Sequence, residues 1–590
     1  MSANAKTRLI GFALFGMLAV GAIVMVVGAP DAEAQMSGLS GGLEDEIIST
    51  PGFLFFCVGD PCPGQTCDEV NSQCVGSLTL QPAAGEPLVG LTAVQLDRFE
   101  KGKTAFSATF QDTMGLGPIF NQDGCASCHS NPVGGSGTIT VVRFGFLDGT
   151  DFDPLAELGG SLWNRESISP ECAEVIPVPP TNHAAQRLTN STLGFGLVEA
   201  IPDADIEINA ISPPAGVSGR VTVVPILEDP PFTRIGRFGW KNQLGTVESF
   251  TGDAMLQEMG ITSRMFPEDN PPNNDLVLLA ACDAVADPED VPDAEGVEFI
   301  DRATDFQRFL AAPPQTPRSG MTGEAVFETI GCADCHMSTF NTANDDDELE
   351  DSIAGKTLHP YSDFLIHDAG SNGDFIEQGG AQITELRTTP LWGLRIRDPL
   401  WHDGRVAGGT FEFRIKGAIQ QHNAAGSEAQ ASAQAFLALS PADQDALVAF
   451  MDSLGRREFD MNGDDLVDDT DALAVNAVCL LTDLITPDDL CAIADVDQNG
   501  IVNDLDLDLL DVVLGIVDPD DEDGDEDENG DGDAGNRNDP VADNRGSGGL
   551  QELAPDSGGP ILNPGGDVVE EDEQRGSKPQ RRGRLGRRGL

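Results

Sequence analysis

Two short cysteine motifs in this sequence have the residue types and the spacing to attach a redox cofactor covalently. Both read C-x-x-C-H, and their members are Cys125, Cys128 and His129 in the first motif and Cys332, Cys335 and His336 in the second motif. Two thiols three positions apart can each form a thioether bond to one porphyrin edge, and the imidazole that follows can bind the iron. The chain is therefore predicted to carry two c-type haems, with the two histidines as proximal iron ligands.

Half of a zinc site and a redox-active dithiol are the alternatives for such a motif. The flanks of the two motifs also repeat, because Phe120 and Phe327 each lie five residues before the first cysteine, and Gly124 and Gly331 directly precede it. The sequence offers no further C-x-x-C pair that could complete a four-ligand zinc site. These features favour haem over zinc or a dithiol.

The start of the chain is typical of an exported protein. A basic segment precedes the apolar residues 9–28, and Ala32 and Ala34 frame a small-residue cleavage site. Residues 1–34 are therefore predicted to be a signal peptide, with an uncleaved membrane anchor as the alternative because the apolar run is long. A periplasmic, secreted or cell-surface location also fits c-type haem, which is attached outside the cytoplasm.

The remaining cysteines are even in number, as expected in an oxidising compartment. They are Cys57, Cys62, Cys67, Cys74, Cys172, Cys282, Cys479 and Cys491. The first four are predicted to form two disulfides, for which three connectivities are possible. Cys479 with Cys491 could close one loop, and Cys172 with Cys282 is the remaining pairing.

The chain has 590 residues and a formal net charge of −64. Such a charge argues against nucleic acid and anionic membranes as partners, and it favours calcium and cationic partners. A solvated, soluble surface is the simpler interpretation of the same charge.

The pattern of the sequence predicts a mainly α fold with two cytochrome c-like haem domains, long loops, a small calcium module and a disordered tail. An internal repeat supports the paired domains, because residues 187–197 parallel residues 386–394. The predicted segments are a Cys-rich leader (35–90), the first haem domain (91–315), the second haem domain (316–456), the calcium module (457–517) and an acidic then basic tail (518–590).

Two acidic loops in the calcium module have the spacing of EF-hand ligands. The first loop offers Asp460, Asn462, Asp464, Leu466 through its carbonyl, Asp468 and Asp471, and the second loop offers Asp495, Asp497, Asn499, Ile501 through its carbonyl, Asn503 and Asp506. Each loop precedes an apolar helical pattern and ends on aspartate, which resembles type I dockerin modules. One Ca²⁺ per loop is predicted, and an acidic stretch without metal is the alternative.

Several spaced runs carry a resemblance to a known family. They are GLGPIFN at 115–121, GFGLVEAIP at 194–202, GRFGWK at 236–241, EMGIT at 258–262, YSDFLIHDAG at 361–370, RTTPLWG at 387–393 and HDGR at 402–405. Over about residues 91–455 the chain resembles the thiol oxidoreductase-like di-haem oxidoreductases, which are related to bacterial di-haem cytochrome c peroxidases and to the methylamine-utilisation di-haem enzyme.

The resemblance implies roles for particular residues. His422, in the run AIQQH, matches the distal ligand of the second haem, and His183 matches a releasable sixth ligand of the first haem; without that ligand the first haem is open. Glu258 matches the pocket acid or base that peroxide cleavage needs, and Trp240 the aromatic residue between the haems. A third Ca²⁺ between the domains is implied near Asn190 and the carbonyls around Thr389.

Other polar residues have lesser implied roles. Glu199 is a second candidate acid, His367 and His402 are expected to bond propionates or orient other groups, and His359 reads as part of a loop.

The resulting functional prediction is an exported di-haem c-type oxidoreductase. Electrons from a small redox protein or another donor enter at one haem, the second by preference, and hydrogen peroxide or a similar small oxidant is reduced at the other. The alternative is a non-catalytic electron-transfer cytochrome anchored in a surface assembly through its calcium module. The dockerin resemblance implies a cohesin-like partner for that module.

Overall fold

A computed structural model describes residues 80–344, 350–482 and 484–516, and the backbone of two short strands at 66–68 and 73–75. The predicted signal peptide, the rest of the Cys-rich leader up to residue 79 and the predicted tail lie outside these described residues. The described residues belong to one compact unit. Among them, no helix combines the length and the apolar character needed to cross a bilayer.

Thirteen α-helices lie in the described residues. They are α1 Ala93–Phe106, α2 Cys125–Cys128, α3 Phe195–Glu199, α4 Asp203–Ile211, α5 Val247–Ala254, α6 Leu276–Cys282, α7 Phe299–Phe309, α8 Thr322–Thr329, α9 Phe411–His422, α10 Gln430–Ala438, α11 Pro441–Ser453, α12 Asp469–Val478 and α13 Asp504–Val513. A single π-helical turn, Met255–Met259, follows α5 directly.

Fourteen short strands accompany the helices in the described residues. They are β1 Thr66–Asp68, β2 Gln73–Val75, β3 Ile119–Phe120, β4 Thr140–Asp148, β5 Asp151–Asp153, β6 Leu162–Trp163, β7 Glu166–Ser167, β8 His183–Leu188, β9 Val223–Pro225, β10 Thr233–Ile235, β11 Phe340–Asn341, β12 Thr357–Leu358, β13 Ile366–Asp368 and β14 Glu385–Arg387. The register of β1 and β2 sets Cys67 opposite Cys74.

The largest sheet has four strands and is a feature that the mainly α prediction misses. Antiparallel β4 pairs with β5, β6 and β8, and its register sets Thr140 opposite Leu188. The run TVVRF in β4 is β-branched and aromatic, which suits a pleated surface better than a helix. This sheet begins eleven residues after His129 and ends just before Thr189, so it positions the first motif's surroundings.

The region predicted as the first haem domain is built on the packing of α1 against α7. Phe99, Phe306 and Phe309 are fully buried between these helices, and each such ring stabilises the fold by about 1.5–3 kcal/mol. A Cβ atom at Gly102 would lie only 2.5 Å from the carbonyl oxygen of Arg302. A glycine is therefore required where the two helices approach most closely.

The second haem domain is built on α8 and α11, with α9 and α10 alongside. Phe327, Leu447 and Phe450 form its buried centre. Phe327 packs on Phe450 at 5.5 Å between ring centroids, and Tyr361 packs edge-on against Phe450 at the same distance. The aromatic cluster fixes the helix that leads into the second motif, because Phe327 lies on α8.

A buried ionic cluster joins the two haem domains. Asp374 of the second domain is fully buried and forms salt bridges with Arg187 at 2.7 Å and with Lys241 at 2.9 Å, both from the first domain. The two cations hold the pKa of Asp374 below its ordinary value although burial acts in the opposite direction.

The C-terminal module packs against the second haem domain through arginine. Arg395 forms ion pairs with Asp452 on α11 and with Asp465 in the first acidic loop, at 2.5 and 2.9 Å. Within the module the predicted disulfide Cys479–Cys491 is present, and in the first haem domain so is the disulfide Cys172–Cys282.

Candidate functional site

Four imidazoles line the cavity at the second motif, and two of them, those of His336 and His422, are the predicted iron ligands. His336 bonds the carbonyl of Tyr361 through Nδ1 at 2.8 Å, and His422, the last residue of α9, bonds the carbonyl of Ala418 through Nδ1 at 2.9 Å. Each ring therefore keeps its Nε2 atom free for a metal ion. Burial lowers the pKa of His336 to about 4 and also lowers that of His422, so both rings are neutral, as iron ligands must be.

The cavity between these rings has a volume of about 290 Å³ and is mostly apolar. Cys332 and Cys335 line it together with Ile415 and Leu447. Two of its polar atoms lack partners, the indole Nε1 of Trp401 and Nδ1 of His402. A buried polar atom without a hydrogen bond is costly, so this cavity is shaped for a group that is apolar and also carries acceptors.

Within the described part of the chain, two guanidinium groups at the same cavity have no carboxylate partner. Arg387 donates to the carbonyls of Gly239 and Thr388, and Arg397 donates to the carbonyls of Pro390 and Trp392. Burial lowers the pKa of Arg387 to about 9, with Arg397 adding to the effect, and burial lowers that of Arg397 to about 10. Paired cations without anions match the two propionates of a haem, so the residues present fit the group that the second motif implies.

The other two histidines near the second motif differ in charge. His367 bonds Asp363 at 2.9 Å and Glu428 at 3.0 Å; burial acts against protonation, but these bonds and one from Cys335 raise the pKa of His367 to about 12. Burial instead lowers the pKa of His402 to about 4. His367 is thus a fixed cation beside Cys335, whereas His402 is neutral.

The first motif presents a single imidazole. His129 bonds the carbonyl of Gly135 through Nδ1 at 3.1 Å, and burial lowers its pKa to about 4. The segment that follows β8 lies near this motif, because Thr189 acts on the pKa of Cys128 and the backbone of Asn190 acts on that of His129.

Glu258 is the acid that the structure brings to the first motif. It lies on the π-helical turn, accepts a hydrogen bond from the side chain of Asn121 at 2.8 Å, and its charge acts on Cys128. Burial raises the pKa of Glu258, although Arg143 opposes the effect. The Nε atom of Arg143 is buried and unpartnered. A protonatable carboxyl group and an unused donor therefore share the space beside the first motif.

Trp240 lies where the two sites approach each other. Its ring lines the cavity of the second motif, 6.2 Å from the ring of His402, and its Nε1 donates to the carbonyl of Leu188 at 2.8 Å. Leu188 directly precedes Thr189 and Asn190, which lie near the first motif. The role of Trp240 between the haems stays a prediction.

His183 and Glu199 are not brought to the first motif. His183 begins β8, whereas Asn190 follows that strand. At a rise of about 3.3 Å per residue, the extended strand places the two residues roughly 20 Å apart. The imidazole of His183 instead bonds the carbonyl of Asp374 at 2.9 Å. Glu199 is paired with Arg308 at 2.7 Å. His359, as expected for a loop residue, is exposed and bonds Thr339.

The two acidic loops differ in what faces them. In the second loop Asp495, Asp497 and Asp506 each place an oxygen within 4.8 Å of the others, and burial raises the pKa of Asp495 to about 7. In the first loop Arg395 supplies a cation, 3.7 Å from Asp460. The second loop is thus the better candidate for Ca²⁺.

The helices after both loops begin alike. Asp468 and Asn503 cap α12 and α13 through reciprocal bonds with Asp471 and Asp506.

The residues suggested for a calcium ion between the domains, Asn190 and Thr389, both line the cavity at the second motif.

Part of this chain matches a model of a known protein family. Residues 182–454 match the family model described as "Di-haem oxidoreductase, putative peroxidase". This span contains the second motif, Trp240, Glu258 and His422, but the first motif precedes it. A search of curated proteins found no match.

Two solved structures are similar to the chain at 13% identity each. A MauG-like protein associated with microbial copper homeostasis has a TM-score of 0.29 and covers 64% of this chain and 93% of its own. Kuenenia stuttgartiensis hydrazine synthase has a TM-score of 0.27 and covers 70% of this chain and 100% of its own. At such low scores these likenesses carry no argument about activity. The family match supports a di-haem redox function.

Proposed function

We propose that the chain is an exported di-haem c-type oxidoreductase that reduces hydrogen peroxide at the first motif and receives electrons at the second. The observation that supports this division is the difference between the sites: His422 shares the cavity of His336, whereas a half-buried carboxyl group, Glu258, lies beside the first motif. When bound, the haems would supply one-electron redox chemistry at both motifs and a position for a small oxidant at the first.

The second site is suited to electron transfer. His336 and His422 are neutral, are fixed by backbone carbonyls, and offer one nitrogen atom each to the same cavity. Arg387 and Arg397 supply positive charge for two carboxylates. Bis-histidine ligation leaves no room for a substrate and favours a low potential relative to His/Met ligation.

The first site is suited to proton transfer. Each hydrogen peroxide molecule takes up two electrons and two protons and leaves as two water molecules, and the electrons come from an external donor such as a small redox protein. Glu258 is positioned by Asn121 and has a raised pKa, so it can accept a proton from peroxide and return it to a leaving oxygen. The unpartnered Nε of Arg143 can donate to an oxygen in the same space.

The test is optical titration of the holoprotein. Cyanide or peroxide added to oxidised and half-reduced protein is expected to shift the Soret band of one haem only. A Soret band that responds to neither reagent in either state would instead establish the electron carrier with both irons six-coordinate.

Calcium binding by the second acidic loop is a separate proposal, which the convergence of Asp495, Asp497 and Asp506 supports. In Asp506→Asn protein the number of bound Ca²⁺ ions is expected to fall by one. Asn retains a neutral oxygen but removes the charge at loop position 12. An unchanged ion count would contradict the proposal.

A further inference from the structure

A second group of carboxylates lies in the first haem domain, away from the acidic loops. Its members are Asp269, Asp283, Asp287 and Glu289, which each place an oxygen atom within 4.8 Å of the others. We refer to these four residues as the Asp269 cluster. The four come from two stretches of chain, Asp269 from one and the other three from residues 283–289. Asp283 directly follows α6, whose last residue, Cys282, is anchored by its disulfide to Cys172.

Asp269 is the residue that points to a missing ligand. Its exposed fraction is 6%, and neither of its carboxylate oxygens has a hydrogen-bond partner among the described residues. Every charge that acts on it belongs to another carboxylate of the cluster, and burial together with these charges raises the pKa of Asp269 to about 8. A buried carboxylate without a cation or a donor is strongly unfavourable, so a cation is the group that would complete the site.

The other three carboxylates use only part of their capacity to accept hydrogen bonds. Glu289 accepts bonds from the backbone N–H of Thr262 at 2.8 Å and from the Thr262 hydroxyl, whose oxygen lies 3.2 Å from Asp287. Asp283 accepts a bond from the backbone N–H of Val285 at 3.2 Å. These bonds hold the carboxylates in place. Each carboxylate has about four lone-pair positions, so acceptor sites remain.

We propose that the Asp269 cluster binds one divalent cation, Ca²⁺ in preference to Mg²⁺. Four carboxylates and no nitrogen or sulfur ligand select a hard cation. The ligands lie on loops, whose flexible geometry suits the six to eight oxygens of Ca²⁺ better than the strict octahedron of Mg²⁺. The ion would tie Asp269 to residues 283–289, which already bond Thr262 through Glu289.

The Asp269 cluster lies close in the chain to the turn that carries Glu258, the candidate acid at the first motif. Thr262 lies four residues after Glu258, and the same segment is held on the other side by bonds from Asn121 and Gln122 to the carbonyl of Glu258. The proposed ion would therefore reduce the motion of the turn that carries Glu258. The metal site itself does not depend on the peroxide chemistry.

The test is a count of Ca²⁺ ions on the full-length holoprotein by native mass spectrometry, with a Ca²⁺ titration monitored by thermal unfolding. Asp269→Asn and Asp287→Asn are each expected to lose one ion, or to raise the Kd of that ion by about tenfold or more. Asp287 is exposed, so Asp287→Asn keeps the test valid if Asp269→Asn does not fold. The acidic loops of the C-terminal module are unchanged in every sample, so they cancel in the difference.

Glu268→Gln is the matched control, because Glu268 is the exposed neighbour of Asp269 and lies outside the cluster. It should bind as many ions as the wild-type protein. Hydrogen exchange should slow in peptides covering 260–269 and 283–290 when Ca²⁺ is added to wild-type protein, and not in Asp269→Asn. Equal ion counts and equal titrations in all four proteins would overturn the proposal, as would an equal loss in the control.

Discussion

The second motif faces another imidazole across an open cavity, whereas the first motif faces a half-buried carboxyl group and a free arginine nitrogen. Both motifs share the pattern C-x-x-C-H, and both proximal rings are neutral and fixed by a backbone carbonyl. Their attachment chemistry is therefore the same. What differs is the segment opposite: α9 brings His422 to one site, and the π-helical turn brings Glu258 to the other.

The most direct way to test this comparison is to remove one motif at a time. Cys332→Ala/Cys335→Ala and Cys125→Ala/Cys128→Ala are each expected to lose one covalent haem, because both thioethers of that motif are gone. Mass spectrometry after denaturation gives the count. The variant that keeps only the first motif should retain the cyanide response, and the other should lose it; the reverse assignment would break the comparison.

Removal of the acid from the first site should have the next largest effect. Glu258→Gln keeps the bond with Asn121 possible but removes proton transfer, so kcat/KM for peroxide should fall by about 10²–10⁴-fold. Steady-state assays with a reduced donor measure it. Cyanide binding should persist, and Glu207→Gln, an exposed change on α4, should leave turnover unaltered. Full activity in Glu258→Gln would remove Glu258 from the mechanism.

Opening the second site should make it resemble the first. His422→Ala removes the imidazole opposite His336, so the low-spin electron paramagnetic resonance signal of that haem should be replaced by a high-spin one, and cyanide should then bind there too. His359→Ala, in the exposed loop, is the control. A spectrum that stays low-spin would assign the distal ligand to another residue.

A smaller effect is expected in the pH dependence of turnover. Burial raises the pKa of Glu258, and the carboxylate that accepts a proton is present only above that pKa. The kcat/KM value should therefore decline as the pH falls toward it, starting above the ordinary range of a glutamate. Glu258→Gln should lack this acid limb; a limb that survives the substitution belongs to another group.

Much of the second site could be predicted from the sequence, because its ligands lie in short recognisable runs. C-x-x-C-H specifies three residues at once, and the resemblance led from HDGR to His422. The guanidinium pair could not be predicted in this way, since Arg387 and Arg397 acquire their importance only from being buried without a carboxylate. Such a property depends on tertiary packing.

The first site was predictable only in part. Glu258 was identified from the run EMGIT, but His183 was not placed near the first motif by the fold. The preceding sheet explains the difference, because an extended strand carries His183 away from Asn190 and toward Asp374. The Asp269 cluster could not be predicted from spacing, since Asp269 lies apart from residues 283–289 in the chain and meets them only in the fold.

The ionic junction at Asp374 constrains the working of the whole molecule. Separation of the two predicted haem domains would leave the buried Asp374 carboxylate without a counter-ion. Breaking such a buried pair destabilises a protein by about 3–5 kcal/mol. The two domains should therefore move as one rigid body. The distance that electrons travel between the two sites would then be fixed once the chain has folded. Any gating of turnover would then have to come from local loops or from the arriving donor.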